Sequence, residues 1–203
     1  MTRRDAIENR EALLGAARVE LNLDADASLE TIAARAGLSR RAVYGHFATR
    51  DELLRELITL GATRVAGSVA GVDHDDPVVR LALIASRLWH EIEDIRVMAV
   101  FAVRGPLKGH TAEALAPLRQ KVAAAIAEGA ATESVRGDIP VARLARLVED
   151  AALSALAEAS SDAMPGSSAH RLVMLLVLAT VGLSAAQAAT LIDTHTELDW
   201  TDR

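Results

Sequence analysis

The sequence predicts an all-α protein, and three observations carry that expectation. Apolar residues make up 51% of the 203 residues but aromatic ones only 2%, so Ala, Leu and Val must supply the core. Ala and Leu are strong helix formers, and the chain holds few Gly (12) and Pro (5) to interrupt them. No stretch sustains the period-2 alternation of a half-buried strand.

The elements follow in order along the chain. The spacing predicts a first helix over 5–22, with Ile7, Leu14, Ala17 and Leu21 on one face and Arg3, Arg4, Glu8, Arg10, Glu11 and Arg18 mostly outside. Ser28 is a good N-cap for a second helix, 29–36, and Gly37 suits the position just past its end. Ser39 caps a third helix, 40–47, and a fourth starts near Arg50 and runs to about 70. An acidic linker, 71–76, precedes Pro77, which fits the first turn of a helix ending near Asp94. Further helices are expected over 95–104, 111–132, 140–159, 169–182 and 185–194, with breaks at Gly105-Pro106, at 136–140 and at Ser160 to Ser168. The last residues read as frayed. The expected division is 1–49 as one domain and 50–203 as a second, with the helix from Arg50 as connector.

Composition excludes several classes. Without cysteine there is no disulfide, no Cys-based zinc site and no catalytic thiol, and a reducing cytoplasm fits. Met1-Thr2-Arg3-Arg4-Asp5 leads into a charged helix with no apolar signal core. Leu172 to Ile192 carries no charge and is long enough for a membrane span. Gly182-Leu183-Ser184 nevertheless reads as a stop and a new cap, and Ser184-x-x-Gln187 as a capping box, so a buried or interface helix is expected and no membrane partner. The net charge of −6 looks wrong for a nucleic-acid binder. Its distribution matters more: Arg35, Arg40, Arg41 and Arg50 fall in a window with one His and no carboxylate. A local basic face can hold phosphate while the acidic remainder discourages unspecific binding.

The informative segment is Ser28 to Leu54, SLETIAARAGLSRRAVYGHFATRDELL. Two short helices joined by Ala36-Gly37-Leu38 can share a small core of Ile32, Ala33, Leu38, Val43 and Phe47. Arg40, Arg41, Tyr44 and Gly45 are then left on the outer face. A helix-turn-helix puts the start of its second helix into the major groove, where Arg reads guanine through a bidentate pair. Ser39 and the free N–H groups near it can meet phosphate.

This segment resembles the tetracycline-repressor (TetR) family of regulators. The resemblance rests on Ala16-Ala17, Ile32-Ala33, Ala36-Gly37-Leu38-Ser39, Val43-Tyr44-x-His46-Phe47 and Arg50-Asp51-Glu52-Leu53-Leu54, and covers about residues 10–56. It implies an N-terminal three-helix DNA-binding domain and a helical C-terminal bundle that binds ligand and forms a homodimer through its last long helices. It also implies that Ser28 is a phosphate-contacting cap, that Ser39, Arg40 and Arg41 open the recognition helix, and that Tyr44 and His46 touch the DNA backbone. Arg50 replaces a frequent lysine and is expected to grip phosphate. The sequence departs from the family pattern at Arg41, where a small residue is common, and at Gly45, where a large one is usual.

Other signals are weaker. His90 with Asp94 is half of a metal pair without further ligands, and neither a metal nor a cofactor is expected. No catalytic or nucleotide-binding fingerprint occurs, which argues against an enzyme. Trp89, His90, Met98, Phe101 and Arg104 crowd 89–104 and read either as ordinary core or as the wall of a pocket for a small apolar or amphipathic ligand. The leading expectation is a cytoplasmic DNA-binding repressor released from double-stranded operator DNA by such an inducer. A ligand sensor of the same fold without DNA binding, and a small helical enzyme, are the competing readings.

Overall fold

The structure is a computed structural model describing residues 3–161 and 164–200. The lead-in Met1-Thr2, part of the expected 160–168 loop and the final three residues lie outside the described residues. Among those described there are helices and no strand: α1 (Arg3–Leu23), α2 (Leu29–Arg35), α3 (Arg40–His46), α4 (Arg50–Ala70), α5 (Pro77–Ile92), α6 (Arg96–Arg104), α7 (Lys108–Ala114), α8 (Ala116–Ala131), α9 (Val141–Ser161), α10 (Gly166–Thr180) and α11 (Ala185–Thr194). Short 3-10 turns follow α5 and α11. The chain forms two compact units. One comprises residues up to Thr63 with Ile95–Ala114, the other Arg64–Asp94 with the chain from Leu115 onward.

The first unit is built on α1, α2 and α3, with α6 packed on α1. Leu13, Ala17 and Leu21 of α1 are fully buried, at an i, i+4, i+8 spacing that lines one helix face. The expected face was rotated from this one: Ile7 is 52% exposed and Leu14 only half-buried. Helix α2 ends in a Schellman motif. Gly37, at φ +69°, donates its N–H to Ala34, and Leu38 donates to Ala33. Ile32, Ala33, Val43 and Phe47 are buried, as the pattern required, and Leu38 is half-buried.

Phe47 is the largest buried side chain of this unit. Its ring lies 4.4 Å under the Arg10 guanidinium, which also donates to the His46 carbonyl and pairs with Glu56. One side chain of α1 thus ties the end of α3 to α4. The half-exposed ion pair contributes ~0–1 kcal/mol, whereas truncating a buried Phe costs about 3–5 kcal/mol. Burial of Phe47 therefore dominates, and Arg10 orients what burial holds.

In the second unit α10 packs on α9 and α5, and α8 on α5 and α9. The expected linker 71–76 joins α4 to α5, and its last residue, Asp76, caps α5 by accepting from Val78 and Val79. The helix expected over 111–132 is two helices, broken around Leu115 because Pro117 occupies the first turn of α8 and supplies no N–H. Helix α10 ends as α2 does: Gly182 at φ +111° donates to Ala179 and Leu183 to Leu178. Ser184 then caps α11, with the reciprocal Gln187 bond of a capping box. The uncharged stretch is therefore two helices, and no helix among the described residues is long and apolar enough to cross a membrane.

Phe47→Ala is expected to lower the unfolding free energy by about 3–5 kcal/mol, read by urea denaturation. A loss below about 1 kcal/mol would mean that the aromatic ring is not the centre of the first unit.

Candidate nucleic-acid interface

Helices α2 and α3 are held at a fixed crossing by the Gly37 turn, and each begins on a serine cap. Ser28 Oγ accepts from the Thr31 N–H at 3.1 Å, and Ser39 Oγ accepts from the Ala42 N–H at 3.2 Å. Either cap lost to Ala costs about 0.5–2 kcal/mol. Both serines are exposed, so each organises a helix start at the surface.

Arg40, Arg41 and Tyr44 follow Ser39 on one exposed face of α3. Arg40 is 76% exposed, its Nε 3.3 Å from Glu30 Oε1 and its guanidinium 5.7 Å from the Tyr44 ring centre. The Tyr44 hydroxyl donates to the same Glu30 oxygen at 2.9 Å. That bond, with help from the Arg40 charge, holds the Glu30 carboxyl below its ordinary range. Arg41 is exposed and has no ion pair among the described residues. Gly45 leaves the next turn of this face bare, with open space where a Cβ would stand.

His46 and Arg50 sit differently. His46 is half-buried, and its Nε2 is buried without a hydrogen-bond partner among the described residues. Arg50 is part-buried; its Nε donates to the Ala27 carbonyl at 2.9 Å and its Nη2 to Ala25. Its guanidinium also lies 5.9 Å from the centre of the Phe101 ring. Arg50 thus staples the start of α4 to the loop entering α2, and three of its five N–H donors remain for another acceptor.

The basic window is more compensated than its sequence suggests. Arg35 pairs with Glu20, Arg40 with Glu30, and Glu52 accepts from the Ala48 N–H. Glu30 is the residue that sequence reasoning missed. Its signal was available: it precedes Arg40 by ten residues and opens the first turn of α2, two positions after the cap.

The five residues suggested for ligand divide between the units. Met98, Phe101 and Arg104 lie on α6 in the first, where Asn22 of α1 accepts from the Val97 and Met98 N–H groups. Met98 is buried, Phe101 half-buried and Arg104 exposed. Trp89 and His90 lie on α5 in the second unit, Trp89 almost fully buried. The His90 ring is 5.0 Å from that of His170 and stacks on Trp200 at 5.1 Å. His170 Nε2 is 2.8 Å from Ser86 Oγ, and both side chains are buried. Among the described residues, no group of three or more His, Asp or Glu side chains is arranged to hold a metal. An open groove of about 1050 Å³, lined by Val135, Arg136, Gly182 and Thr190 among others, lies elsewhere in the second unit, and none of the five lines it.

Residues 25–57 match the family model of bacterial regulatory proteins, tetR family. Among solved structures, the fold is similar to that of SmeT, the repressor of the Stenotrophomonas maltophilia multidrug efflux pump SmeDEF. The TM-score is 0.65 and the identity 22%, over 84% of this chain and 87% of that one. It is similar as well to the transcriptional regulator FadR from Bacillus subtilis in complex with stearoyl-CoA, at TM-score 0.70 and 15% identity, over 85% of this chain and 97% of that one. The TetR-like transcriptional regulator LfrR from Mycobacterium smegmatis, in complex with proflavine, matches at TM-score 0.64 and 21% identity, over 89% and 97%. No curated protein matches the chain. The helix-turn-helix segment is thus similar to that of bacterial regulatory proteins of the tetR family, and the chain shares the fold of these solved regulators.

Burial, and then the neighbouring His90, lower the His170 pKa to about 4. An unfolded imidazole titrates near ~6.5, so between these values the unfolded chain binds the extra proton and stability rises with pH. Stability is expected to fall by up to about 3 kcal/mol as pH drops from neutral to ~4. His170→Gln is expected to flatten that slope in thermal melts recorded across pH. An unchanged slope would remove His170 as its source.

Proposed function

We propose that the protein is a ligand-responsive transcriptional repressor that holds operator DNA with α3 of two copies and is released by a small apolar or amphipathic molecule. The observation that carries this reading is the exposed α3 face, Arg40, Arg41 and Tyr44, set on a Gly37 turn and two serine-capped helix starts. Arg41, exposed and without an ion pair among the described residues, is suited to a base edge or phosphate. Ser28, Ser39, Tyr44 and His46 serve the backbone, and Arg50 offers phosphate the donors its staple leaves. Residues 1–49 are the DNA-binding part, and 50–203 the part that binds ligand and pairs the chains. The cytoplasm, where operator DNA lies, is its place of work.

The inducer reading has support from the relatives that carry stearoyl-CoA or proflavine. Trp89 and His90 are the contacts suggested in the second unit. In the first, Met98, Phe101 and Arg104 make α6 responsive, since α6 hangs on Asn22 and faces Arg50 through Phe101. A ligand shifts operator affinity only by the difference in its own affinity for the two states, and operator must weaken ligand by the same factor.

The test is electrophoretic mobility shift on the DNA upstream of the chain's own gene, across salt. Arg40→Ala and Arg41→Ala are each expected to cost about 1–3 kcal/mol on the operator. Arg50→Ala is expected to weaken all duplexes alike, flatten the salt slope by about one unit and also lower thermal stability by releasing its staple. Normal operator binding by all three variants overturns the assignment of α3.

Helix α10 supports the homodimer. Its buried face, Val173, Met174, Val177 and Leu178, is used within its own unit. Leu172, Leu175, Leu176 and Ala179 form a second apolar face, half-buried or exposed. On α9, Leu144 and Ala155 are spent inside the bundle, leaving Leu147 at 41% exposure for a partner. Two copies of α9 and α10 would make a two-fold four-helix interface. Sedimentation equilibrium is expected to find a dimer at micromolar concentration, and Leu176→Glu to yield a folded monomer with weakened operator binding. A wild-type monomer at that concentration refutes the interface.

A further inference from the structure

Glu30 suits the first turn of α2, where free N–H groups favour a carboxylate, but it is unexpected at a DNA-facing surface. Its side chain is half-exposed and brings negative charge beside the residues that would meet phosphate. As a stabilising ion pair it achieves little: Arg40 is 76% exposed, and exposed pairs of this kind contribute almost nothing to folding. Its geometry is more specific than its energy. One oxygen, Oε1, accepts the Tyr44 hydroxyl at 2.9 Å and lies 3.3 Å from Arg40 Nε. The Arg40 guanidinium in turn lies 5.7 Å from the centre of the Tyr44 ring. Three side chains from two helices therefore meet, joined by the Tyr44 hydrogen bond, the Arg40 ion pair and the guanidinium–ring contact.

That arrangement decides how Arg40 is presented. An unrestrained arginine carries about 2 kcal/mol of rotamer entropy and can follow any phosphate within reach. Nε is the guanidinium nitrogen nearest the carboxylate, which leaves the two terminal nitrogens for an outside pair of acceptors, the arrangement guanine O6 and N7 require. The carboxylate also repels any phosphate that approaches Arg40 in another register. Glu30 thus opposes unspecific binding and favours one geometry, and selectivity is a difference between those two affinities.

We propose that Glu30 is a specificity-determining positioning residue, which aims Arg40 at the operator and suppresses binding to other DNA. The proposal rests on the DNA-binding reading above. It differs from a structural role in one respect: loss of Glu30 strengthens binding to the wrong DNA.

The experiment uses the full-length protein and two duplexes of equal length, one enriched from a random-sequence library by the wild type and one unselected. Affinity for each is measured between 50 and 200 mM salt. Glu30→Ala is expected to bind the unselected duplex about three- to tenfold more tightly and to steepen the salt slope by up to about one unit. The ratio of selected to unselected affinity is expected to fall at least tenfold. Glu30→Gln keeps an acceptor for Tyr44 without the charge and is expected to fall between Ala and wild type. In an Arg40→Ala background, Glu30→Ala is expected to change the ratio less than twofold, since the two act as one unit. An unchanged ratio in Glu30→Ala overturns the proposal, as does a parallel loss of affinity for both duplexes. A wild type that enriches no sequence overturns the DNA-binding reading itself, and this inference with it.

Discussion

Burial of Phe47 under Arg10 is the constraint on which the first unit depends. The ring is fully buried at the end of α3, and the guanidinium covering it also binds the His46 carbonyl and the Glu56 carboxylate. One apolar contact and one charged cap therefore set the relation of α1, α3 and α4. The exposed face of α3 is a consequence. Once Val43 and Phe47 point inward, helical periodicity turns Arg41 and Tyr44 outward, and Arg40 is exposed because it is the first residue of the helix, beyond the end of the core.

The same local chemistry is used twice. Gly37-Leu38-Ser39 and Gly182-Leu183-Ser184 each end one helix and begin the next. Glycine reaches the left-handed conformation without a steric penalty, the next N–H closes the Schellman ring, and the serine oxygen captures an orphan N–H of the following helix. In the first unit this device presents the exposed face of α3. In the second it divides an uncharged stretch that length alone would have allowed to span a membrane.

Charge works by placement. An acidic protein can carry a basic face if its carboxylates are kept away or given a role, and here both happen. Glu20 and Glu56 bind arginines at the edges of the helix-turn-helix, while Glu30 sits within it. Arg50 shows the same economy: its guanidinium joins two backbone carbonyls to an aromatic face of α6 and still retains donors.

Local signals decided much of the architecture. The caps at Ser28, Ser39 and Ser184, the stops at Gly37 and Gly182 and the bounds of α11 were legible in the sequence, because each depends on hydrogen bonds between residues two to five apart. The core of the helix-turn-helix was legible too, because period 3.6 separates inside from outside. The break before Pro117 was misread, although its signal was local. The burial of Leu13 in place of Leu14, the stapling of Arg50, the engagement of Arg40 and Tyr44 by Glu30, and the gathering of His90, His170 and Trp200 needed the tertiary structure. In each of these cases, contacts across helices decide which face is buried or which partner a side chain finds. A side chain's residue type states what it can bond; only packing states which partner comes within reach.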